Sequence, residues 1–412
     1  MTHFTFLHAA DLHLGSPLTG LAMKDEVVAR RFATASREAF SELVTQAIAE
    51  KVAFVVFSGD IYDGDWKDTA IGLFFNREVS RLARADIPAF LIRGNHDAES
   101  EITKAVTLPD TVVEFSTRKA ETHRLDTLKV ALHGRGFADR SATENFAIAY
   151  PPPVKGWFNI GMLHTSCEGN AAHAVYAPCT VAELAGRGYD YWALGHVHEQ
   201  AVLHRDPWVV YSGNLQGRSV RECGPKGAML VDVADSRVAG LRSLIVDRAR
   251  WLHVTIPVAD IPDEAGLLQG IREALQAPLS GTAGRMTAFR VTLNGGTPLN
   301  GVLRARHNEL RDEVQALANH VHEDAWLEAL KFDTTDLALA PAVGSEASAI
   351  NPLTLLVGLE HDDEVRLRAA ELIALVRAKL PAGIGEGALN DFDAVLAEAR
   401  MLASARALGG AA

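Results

Sequence analysis

Five short segments of this 412-residue chain carry side chains that can bind divalent metal ions. They supply carboxylate, imidazole and amide oxygen, a ligand set suited to Mn, Fe or Zn. In chain order they are Asp11-Leu-His13, Gly59-Asp60-Ile-Tyr-Asp63, Gly94-Asn95-His96-Asp97, Met162-Leu-His164-Thr and Gly195-His196-Val-His198. Two metal ions side by side are what the hydrolysis of a phosphate ester needs. The sequence therefore predicts a two-metal phosphoesterase site.

The strength of this prediction lies in the combination of segments. An isolated Asp-x-His or His-x-His pair belongs more often to surface chemistry than to a metal site. Gly-Asn-His-Asp after a strand is far more specific. With Gly-Asp-x-x-Asp upstream and Gly-His-x-His downstream, the joint pattern indicates metal binding.

The residue types also suggest how the ligands are shared. Two ions need one ligand that bridges them, and a carboxylate after a glycine turn suits that role, so Asp60 is the candidate. Asp11, His13 and one of the two late histidines would complete the first ion. Asn95, His164 and the other late histidine would complete the second.

His96 has a different predicted role. It follows Asn95 directly, so it should project beside the metals without binding them. That position makes His96 the candidate general acid for the leaving oxygen, or a stabiliser of the transition state. Asp63 and Asp97 are candidates for orienting imidazoles from outside the ligand set.

Two residues outside the five segments are further candidates. His133 follows a strand pattern and could lie near the site, and a packed or surface histidine is the alternative. Arg218, at the end of Gly213-Asn-Leu-Gln-Gly-Arg218, could contact a substrate phosphate. A salt bridge that orders its own loop is the alternative for Arg218, and both interpretations stay open.

The elements that must position these side chains are short apolar strands. Helical spacing predicts helices over residues 34–50 and 68–86, between the first strands. Ligands of α/β sheets bind beyond the carboxyl ends of the strands. Glycines before Asp60, Asn95 and His196 permit the tight turns that bring the side chains together. The predicted strands that precede the five segments are residues 4–8, 53–57, 88–92, 158–163 and 191–194.

The pattern of predicted elements changes near residue 250, so we expect the domain that contains the five ligand segments to span residues 1–250. A compact β-α-β-α-β unit without ligand motifs is predicted for residues 251–335. Residues 336–412 are predicted to form a linker, rich in Ala, Pro and Ser, followed by a C-terminal helical segment. The expected elements of these two parts are strands 251–258, 286–293 and 325–332, with helices 263–276, 300–321, 360–380 and 390–408.

Composition limits the classes of partner. The formal charge of −12 argues against a broad basic surface for non-specific duplex binding. It does not exclude a nucleic-acid substrate, because bound divalent ions reverse the local charge of an acidic site.

Cysteine usage and hydropathy predict the compartment. The three cysteines form no Cys-x-x-Cys pair, which argues against a zinc finger, and their odd number fits a reducing cytoplasm. No signal peptide is evident, and no apolar run approaches the roughly 20 residues that span a bilayer. We therefore expect a cytoplasmic protein without a membrane segment.

These motifs resemble those of the calcineurin-like metallophosphoesterase superfamily. Within it, they are most similar to DNA repair exonucleases of the SbcD type and to YhaO-like bacterial proteins. Protein Ser/Thr phosphatases instead carry Arg-Gly after the second aspartate of Gly-Asp-x-x-Asp, where this chain has Gly64-Asp65. The segments that carry the likeness are Ala9-Ala-Asp-Leu-His-Leu-Gly15, Ser58-Gly-Asp-Ile-Tyr-Asp63, Tyr189-Asp-Tyr-Trp-Ala-Leu-Gly-His-Val-His198 and Gly213-Asn-Leu-Gln-Gly-Arg218.

The resemblance implies a fold and an assignment of ligands. The fold is an α/β two-sheet sandwich flanked by helices, here followed by a small α/β capping domain and C-terminal helices. The implied ligands are Asp11, His13, Asp60 and His198 for one metal, and Asp60, Asn95, His164 and His196 for the other. His96 is implied to be catalytic. Some relatives place a second catalytic histidine where this chain has Asp63, which makes Asp63 a candidate catalytic residue.

The resemblance also implies a function. We expect a two-metal DNA exonuclease with endonuclease activity in DNA repair, using Mn, with Mg, Fe or Zn as alternatives. A homodimer and an SMC-like coiled-coil ATPase partner, bound through helix 390–408, are implied as well; packing of that helix on the protein's own core is the alternative. Competing hypotheses are a phosphatase or cyclic-nucleotide phosphodiesterase of the same fold, and a regulatory scaffold subunit of an ATPase complex.

Overall fold

A computed structural model describes residues 3–16, 26–63, 69–99, 107–139, 142–167, 177–336 and 362–379, and the single positions 392, 393, 395 and 399. The chain divides into two compact units. The first comprises Met1–Leu252 and Gly284–Ala288, and the second comprises His253–Ala283 and Phe289–Ala412.

The first unit is built on two six-stranded sheets. One sheet has the strand order β12-β11-β1-β2-β3-β4, and the other has the order β5-β6-β7-β8-β10-β9. The central strands β1-β2-β3 and β6-β7-β8 run parallel, so their carboxyl ends lie at one edge of each sheet. The strands are β1 (His3–Ala9), β2 (Val55–Ser58), β3 (Ala89–Ile92), β4 (Val112–Glu114), β5 (Glu121–Leu125), β6 (Val130–Gly134), β7 (Phe158–His164), β8 (Tyr191–Gly195), β9 (Ala201–Arg205), β10 (Trp208–Tyr211), β11 (Gly227–Ala234) and β12 (Arg237–Ile245).

Helices cover the outer face of the first sheet. They are α1 (Glu26–Ala49) and α2 (Thr69–Arg84). A third, short helix, α3 (Val181–Ala185), comes between β7 and β8 in the sequence. Ala39, Leu43 and Ala47 of α1 are fully buried in the core cluster that contains Leu7 and Val55 of the sheet. Their four-residue spacing is the stripe that predicted this helix.

An aromatic layer fills the space between the two sheets. Successive residues of a strand point to opposite faces, so Phe4 and Phe6 of β1 face the second sheet while Leu7 faces the helices. The ring of Phe6 stacks on Phe54 at 5.0 Å and meets Tyr191 edge-on at 5.3 Å. The central strands β1, β2 and β3 are thereby buried on both faces over most of their length, which explains their continuous apolar runs.

The buried layer also contains a neutral histidine. His8 is fully buried, with Nδ1 3.0 Å from the Tyr191 hydroxyl and Nε2 3.1 Å from the Leu194 carbonyl oxygen. Burial lowers the pKa of His8 from 6.5 to about 3. The unfolded chain therefore binds more protons between these two pH values, and the stability that His8 contributes is complete above pH 6.5 and falls as the pH drops towards 3.

We expect this histidine to make the fold acid-sensitive. Between pH 6.5 and 4.5 the wild type should lose about 2–3 kcal/mol of unfolding free energy relative to His8→Gln, at 1.36 kcal/mol per pH unit. Glutamine keeps a donor for the Leu194 carbonyl and does not titrate. Urea unfolding of both proteins across this pH range measures the difference, and parallel curves would contradict the role of His8.

The second unit contains a three-stranded sheet in the order β13-β14-β15. Buried leucines and isoleucine of its first helix, Leu267, Ile271, Leu275 and Leu279, repeat every four residues. The strands are β13 (Ala249–Pro257), β14 (Met286–Thr297) and β15 (Ala325–Asp336); the helices are α4 (Glu264–Ser280), α5 (Asn300–Ala305), α6 (His307–Val321) and α7 (Asp363–Lys379).

The predicted α/β two-sheet sandwich flanked by helices is confirmed, with differences in detail. Helix α1 begins at Glu26, because Val28 and Phe32 extend its buried face beyond the predicted start at residue 34. The single helix predicted over residues 300–321 is two helices that meet at Arg306, whose φ and ψ are −102° and 24°. The predicted linker and most of helix 390–408 lie outside the described residues. No helix of the described ranges is long and apolar enough to cross a membrane.

Candidate metal centre

The loops at the carboxyl ends of the parallel strands bring the predicted ligand segments together in the first unit. Backbone hydrogen bonds join the first two loops, since the amides of Asp11 and His13 donate to the carbonyls of Gly59 and Asp60 at 3.0 Å. The segments follow β1 (Asp11, His13), β2 (Asp60), β3 (Asn95, His96), β7 (His164 as its last residue) and β8 (His196, His198).

Four candidate ligands adopt a backbone conformation that is unusual for residues other than glycine. The φ angles of Asp11, His13, Asp60 and His196 are 52°, 43°, 53° and 99°. The left-handed region costs such residues roughly 1–2 kcal/mol each. Strain of this kind persists where the surrounding structure enforces it, and it concentrates at functional sites.

Two glycines permit the close approach of the strand ends. A Cβ on Gly59, whose φ is 94°, would lie 2.5 Å from Nδ1 of His164. A Cβ on Gly195 would lie 2.0 Å from the carbonyl oxygen of Ser58. The turn at Gly59 needs glycine for its backbone angle as well as for space, whereas Gly195 is required for space alone.

Asp60 lies between the two halves of the cluster. Its Oδ2 is 3.7 Å from Nε2 of His13 on one side and 3.5 Å from Nε2 of His164 on the other. Its Oδ1 accepts a hydrogen bond of 3.0 Å from the amide of His96. One oxygen is therefore fixed by the backbone while the other faces both histidines, as a bridging carboxylate requires.

The imidazoles of the cluster turn their Nε2 atoms inward. Nδ1 of His164 donates to the Ser58 carbonyl at 2.9 Å, and Nδ1 of His198 donates to Glu222 at 2.8 Å. The inward Nε2 atoms are then unprotonated in the neutral rings and can act as ligands. Nε2 of His13 and Nε2 of His198 lie only 3.1 Å apart.

This convergence fits divalent cations. Among the described residues, three groups have donor atoms that lie within 4.8 Å of one another. They are Asp11 with His13 and His198, His13 with Asp60 and His96, and Asp11 with Asp60 and His164. Buried carboxylates and facing imidazole nitrogens at this density repel one another unless cations lie between them.

Asn95 and His196 lie beside these groups. Oδ1 of Asn95 is 3.0 Å from Nε2 of His164. The ring of His196 is 5.3 Å from that of His164, and its amide donates to both carboxylate oxygens of Asp11 at 3.0 Å. The structure thus places all seven predicted ligands in one cluster, with His196 adjacent to the tightest groups.

Burial and the close packing of ionisable side chains shift the pKa values of the cluster. Burial raises the pKa of Asp11 to about 6 and lowers that of His13 to about 4. Burial alone would lower the pKa of His164, but the charge and hydrogen bond of Asp60, the charge of Asp11 and the hydrogen bond to Ser58 together outweigh it and raise that pKa to about 9. The proton on His164 must leave when a cation binds, so metal binding is expected to weaken in acid.

His96 differs from the other histidines in exposure and partner. Its side chain is 27% exposed, and Nδ1 lies 3.0 Å from Oδ1 of Asp63. The same oxygen of Asp63 lies 3.5 Å from Nδ1 of His13. The hydrogen bond to Asp63 raises the pKa of His96, which favours the protonated form that a general acid needs.

Asp97 holds the loops rather than an imidazole. Its carboxylate accepts hydrogen bonds from the amides of Ile61, Tyr62 and Gly94 at 2.9–3.1 Å. Burial raises the pKa of Asp97 to about 7. Its contacts tie the Asp60 loop to the Asn95 loop.

His133 is packed in the interior. Its Nδ1 lies 2.8 Å from the Thr122 hydroxyl, its Nε2 lies 3.1 Å from Oδ1 of Asn159, and its ring stacks on Tyr189 at 4.3 Å. It is a residue within β6 rather than one that follows a strand. These contacts involve none of the candidate ligands.

Glu222 belongs to the site, and sequence analysis missed it. Besides the bond from His198, it accepts 2.9 Å and 2.8 Å bonds from Nδ2 of Asn214 and the amide of Arg218. Its pKa is held below the usual range, because the hydrogen bonds and charges of His198 and Arg218 together outweigh burial. The only sequence signal was its place four residues after the Gly213–Arg218 segment.

Replacing Glu222 with glutamine is expected to weaken metal binding at the His198 side by about 10–100-fold, since outer partners set ligand orientation and basicity. The amide still accepts one hydrogen bond, so the loop should remain folded. Metal titration by calorimetry checks this, with Glu199→Gln, a nearby glutamate outside the cluster, as the control. Unchanged metal affinity in Glu222→Gln would contradict the contact's importance.

Two family models and several relatives match the sequence of the chain. The sequence model of the family described as "Calcineurin-like phosphoesterase" matches residues 4–200, and that of "Metallophosphoesterase YhaO, middle domain" matches residues 251–335. The uncharacterized metallophosphoesterase YhaO of Bacillus subtilis (strain 168) is 30% identical over 341 residues, covering 81% of this chain and 82% of that protein.

More distant relatives are DNA double-strand break repair proteins called Mre11. That of Sulfurisphaera tokodaii is 22% identical over 280 residues, covering 64% of this chain and 68% of its own. That of Methanopyrus kandleri is 24% identical over 257 residues, covering 57% and 51%. With its divalent-metal donor cluster and its similarity to YhaO across both matched regions, the chain belongs to the calcineurin-like metallophosphoesterase family.

Proposed function

We propose that this metallophosphoesterase is a DNA nuclease, an exonuclease with endonuclease activity, that acts in DNA repair. The observation that carries the proposal is the position of His96. His96 lies beside His13 and Asp60 and contacts Asp63, and its side chain is more exposed than those of His13 and Asp60. A proton donor beside a phosphoesterase metal centre serves esters with poor leaving groups, such as the sugar oxygen of DNA.

Each residue of the centre has a proposed part. Bound divalent ions, Mn in this proposal, supply Lewis acidity and an activated water. Asp11, His13, Asp60 and His198 would hold one ion, and Asp60, Asn95, His164 and His196 the other. His96 gives its proton to the leaving oxygen when the P–O bond breaks, and Asp63 keeps the imidazole oriented and protonated.

DNA as substrate rests on the relatives and on the active-site chemistry together. The Mre11 proteins are named for double-strand break repair.

We further propose a cytoplasmic homodimer that works with an SMC-like coiled-coil ATPase. Supporting a helical partner, Leu367, Leu372 and Leu375 of α7 are each about 60% exposed. The charge of −12 favours the alternative of a phosphatase or a cyclic-nucleotide phosphodiesterase.

The test is cleavage of end-labelled linear duplex DNA with Mn, beside closed circular DNA and a small chromogenic phosphodiester. We expect progressive shortening of the linear duplex, nicking of the circle, and neither with Asp60→Asn. Cleavage of the small ester alone, also after addition of a cognate ATPase, would overturn the DNA assignment and favour the alternative substrates.

A further inference from the structure

Arg218 lies between the two carboxylates that hold the histidines of the centre. Its Nη1 is 3.9 Å from Oδ2 of Asp63, and its Nη2 is 3.3 Å from Oε1 of Glu222. Asp63 contacts His96, and Glu222 contacts His198. The guanidinium thus shares the carboxylate of Asp63 with the proposed proton donor His96, and its side chain is 24% exposed.

One donor of this guanidinium, Nε, finds no acceptor in the part of the chain that the structure describes. Nε of Arg218 is buried and makes no hydrogen bond to any residue that the structure describes. A buried N–H without an acceptor is destabilising, because the group has lost its hydrogen bonds to water. Beside a phosphoesterase site, such a donor points to an acceptor that arrives with the substrate.

Ordering of the loop does not require the guanidinium. Glu222 already receives hydrogen bonds from His198, from Asn214 and from the backbone amide of Arg218. Three donors therefore hold this carboxylate without the Arg218 side chain. The salt bridge that was the alternative role for Arg218 is present, with Glu222, but other hydrogen bonds also hold the loop.

We propose that Arg218 binds a non-bridging oxygen of the substrate phosphate through its Nε edge. This proposal rests on phosphoester hydrolysis at the adjoining centre. The planar guanidinium presents donors in a fork that matches phosphate oxygens, and charge-assisted bonds of this type are the strong ones. In this proposal the positive charge of Arg218 lies beside the substrate phosphate, although the protein as a whole carries a formal charge of −12.

Calorimetric binding of inorganic phosphate to the full-length, Mn-loaded protein tests the proposal without any nuclease assay. Arg218→Met should weaken phosphate binding by about 10–100-fold. Arg218→Lys should recover part of the loss, because lysine keeps the charge but not the fork. Arg221→Met, which changes an exposed arginine of the same loop, should bind phosphate like the wild type.

Metal content, measured in each variant, separates binding from positioning. The proposal requires full metal content in Arg218→Met, and a matching rise in KM for a small phosphodiester. Unchanged phosphate affinity and KM would overturn it, as would a loss of phosphate binding that merely follows a loss of metal. Failure of wild type to cut DNA would sink the nuclease proposal while leaving the phosphate result to stand.

Discussion

Replacing Asp60 with asparagine is expected to lower hydrolysis by roughly a thousandfold or more, whichever phosphoester is used. The change removes one negative charge from between His13 and His164, where Oδ2 lies 3.7 Å and 3.5 Å from the two rings. Loss of about 4 kcal/mol of transition-state stabilisation corresponds to that factor. Asparagine keeps an oxygen for the His96 amide, so the fold should survive.

Metal content and activity, measured together, give the most informative result for this variant. Mn bound per chain should fall along with kcat. Asp232→Asn is the matched control, because Asp232 also accepts a side-chain hydrogen bond, from Thr5, but lies in β11 away from the ligand loops. Near-normal hydrolysis in Asp60→Asn would rule out a bridging role for this carboxylate.

Replacing His96 with asparagine is expected to lower kcat on DNA by about 10²–10⁴-fold while metal content stays at the wild-type value. The asparagine amide can still donate to Asp63, but it cannot supply a proton to the leaving oxygen. This separates proton donation from metal binding, which matters because His96 also lies within 4.8 Å of donor atoms of His13 and Asp60.

The leaving group provides the internal control for His96. A nitrophenyl phosphodiester departs as a weakly basic anion, so its cleavage should depend much less on a proton donor than cleavage of DNA does. A small loss on the nitrophenyl ester and a large one on DNA is the expected pair of results. Equal losses on both substrates, or a loss of metal, would contradict the role of His96 as the acid.

The sequence was most informative where side chains follow buried strands. Asp11, Asp60, Asn95, His164 and His196 each come at or just after a strand end, and parallel strands bring such ends to one edge. The two-sheet architecture could be predicted for the same reason, because strands buried on both faces carry strong apolar runs.

Features set by long-range loop packing could not be predicted. Glu222 contacts His198 from 24 residues away, through a loop whose path no local pattern encodes. The left-handed backbone of His13 is likewise enforced by bonds to another loop. The interior position of His133 could not be predicted either, because its contacts with Thr122 and Asn159 depend on how β5, β6 and β7 pair.

Edge strands were missed because their patterns are weak. No residue of β5 or β9 is buried, and both strands contain charged or polar side chains, so they lack the continuous apolar runs of the central strands. Sheet edges tolerate such residues because one side of the strand faces water.

The central claim is that this cluster binds two divalent ions that share Asp60, and anomalous diffraction from crystals grown with Mn tests it most directly. We expect two anomalous peaks in the cluster, with Asp60 contacting both. The first should also contact Asp11, His13 and His198, and the second Asn95, His164 and His196. A single peak, or two peaks that Asp60 does not join, would contradict the proposed centre.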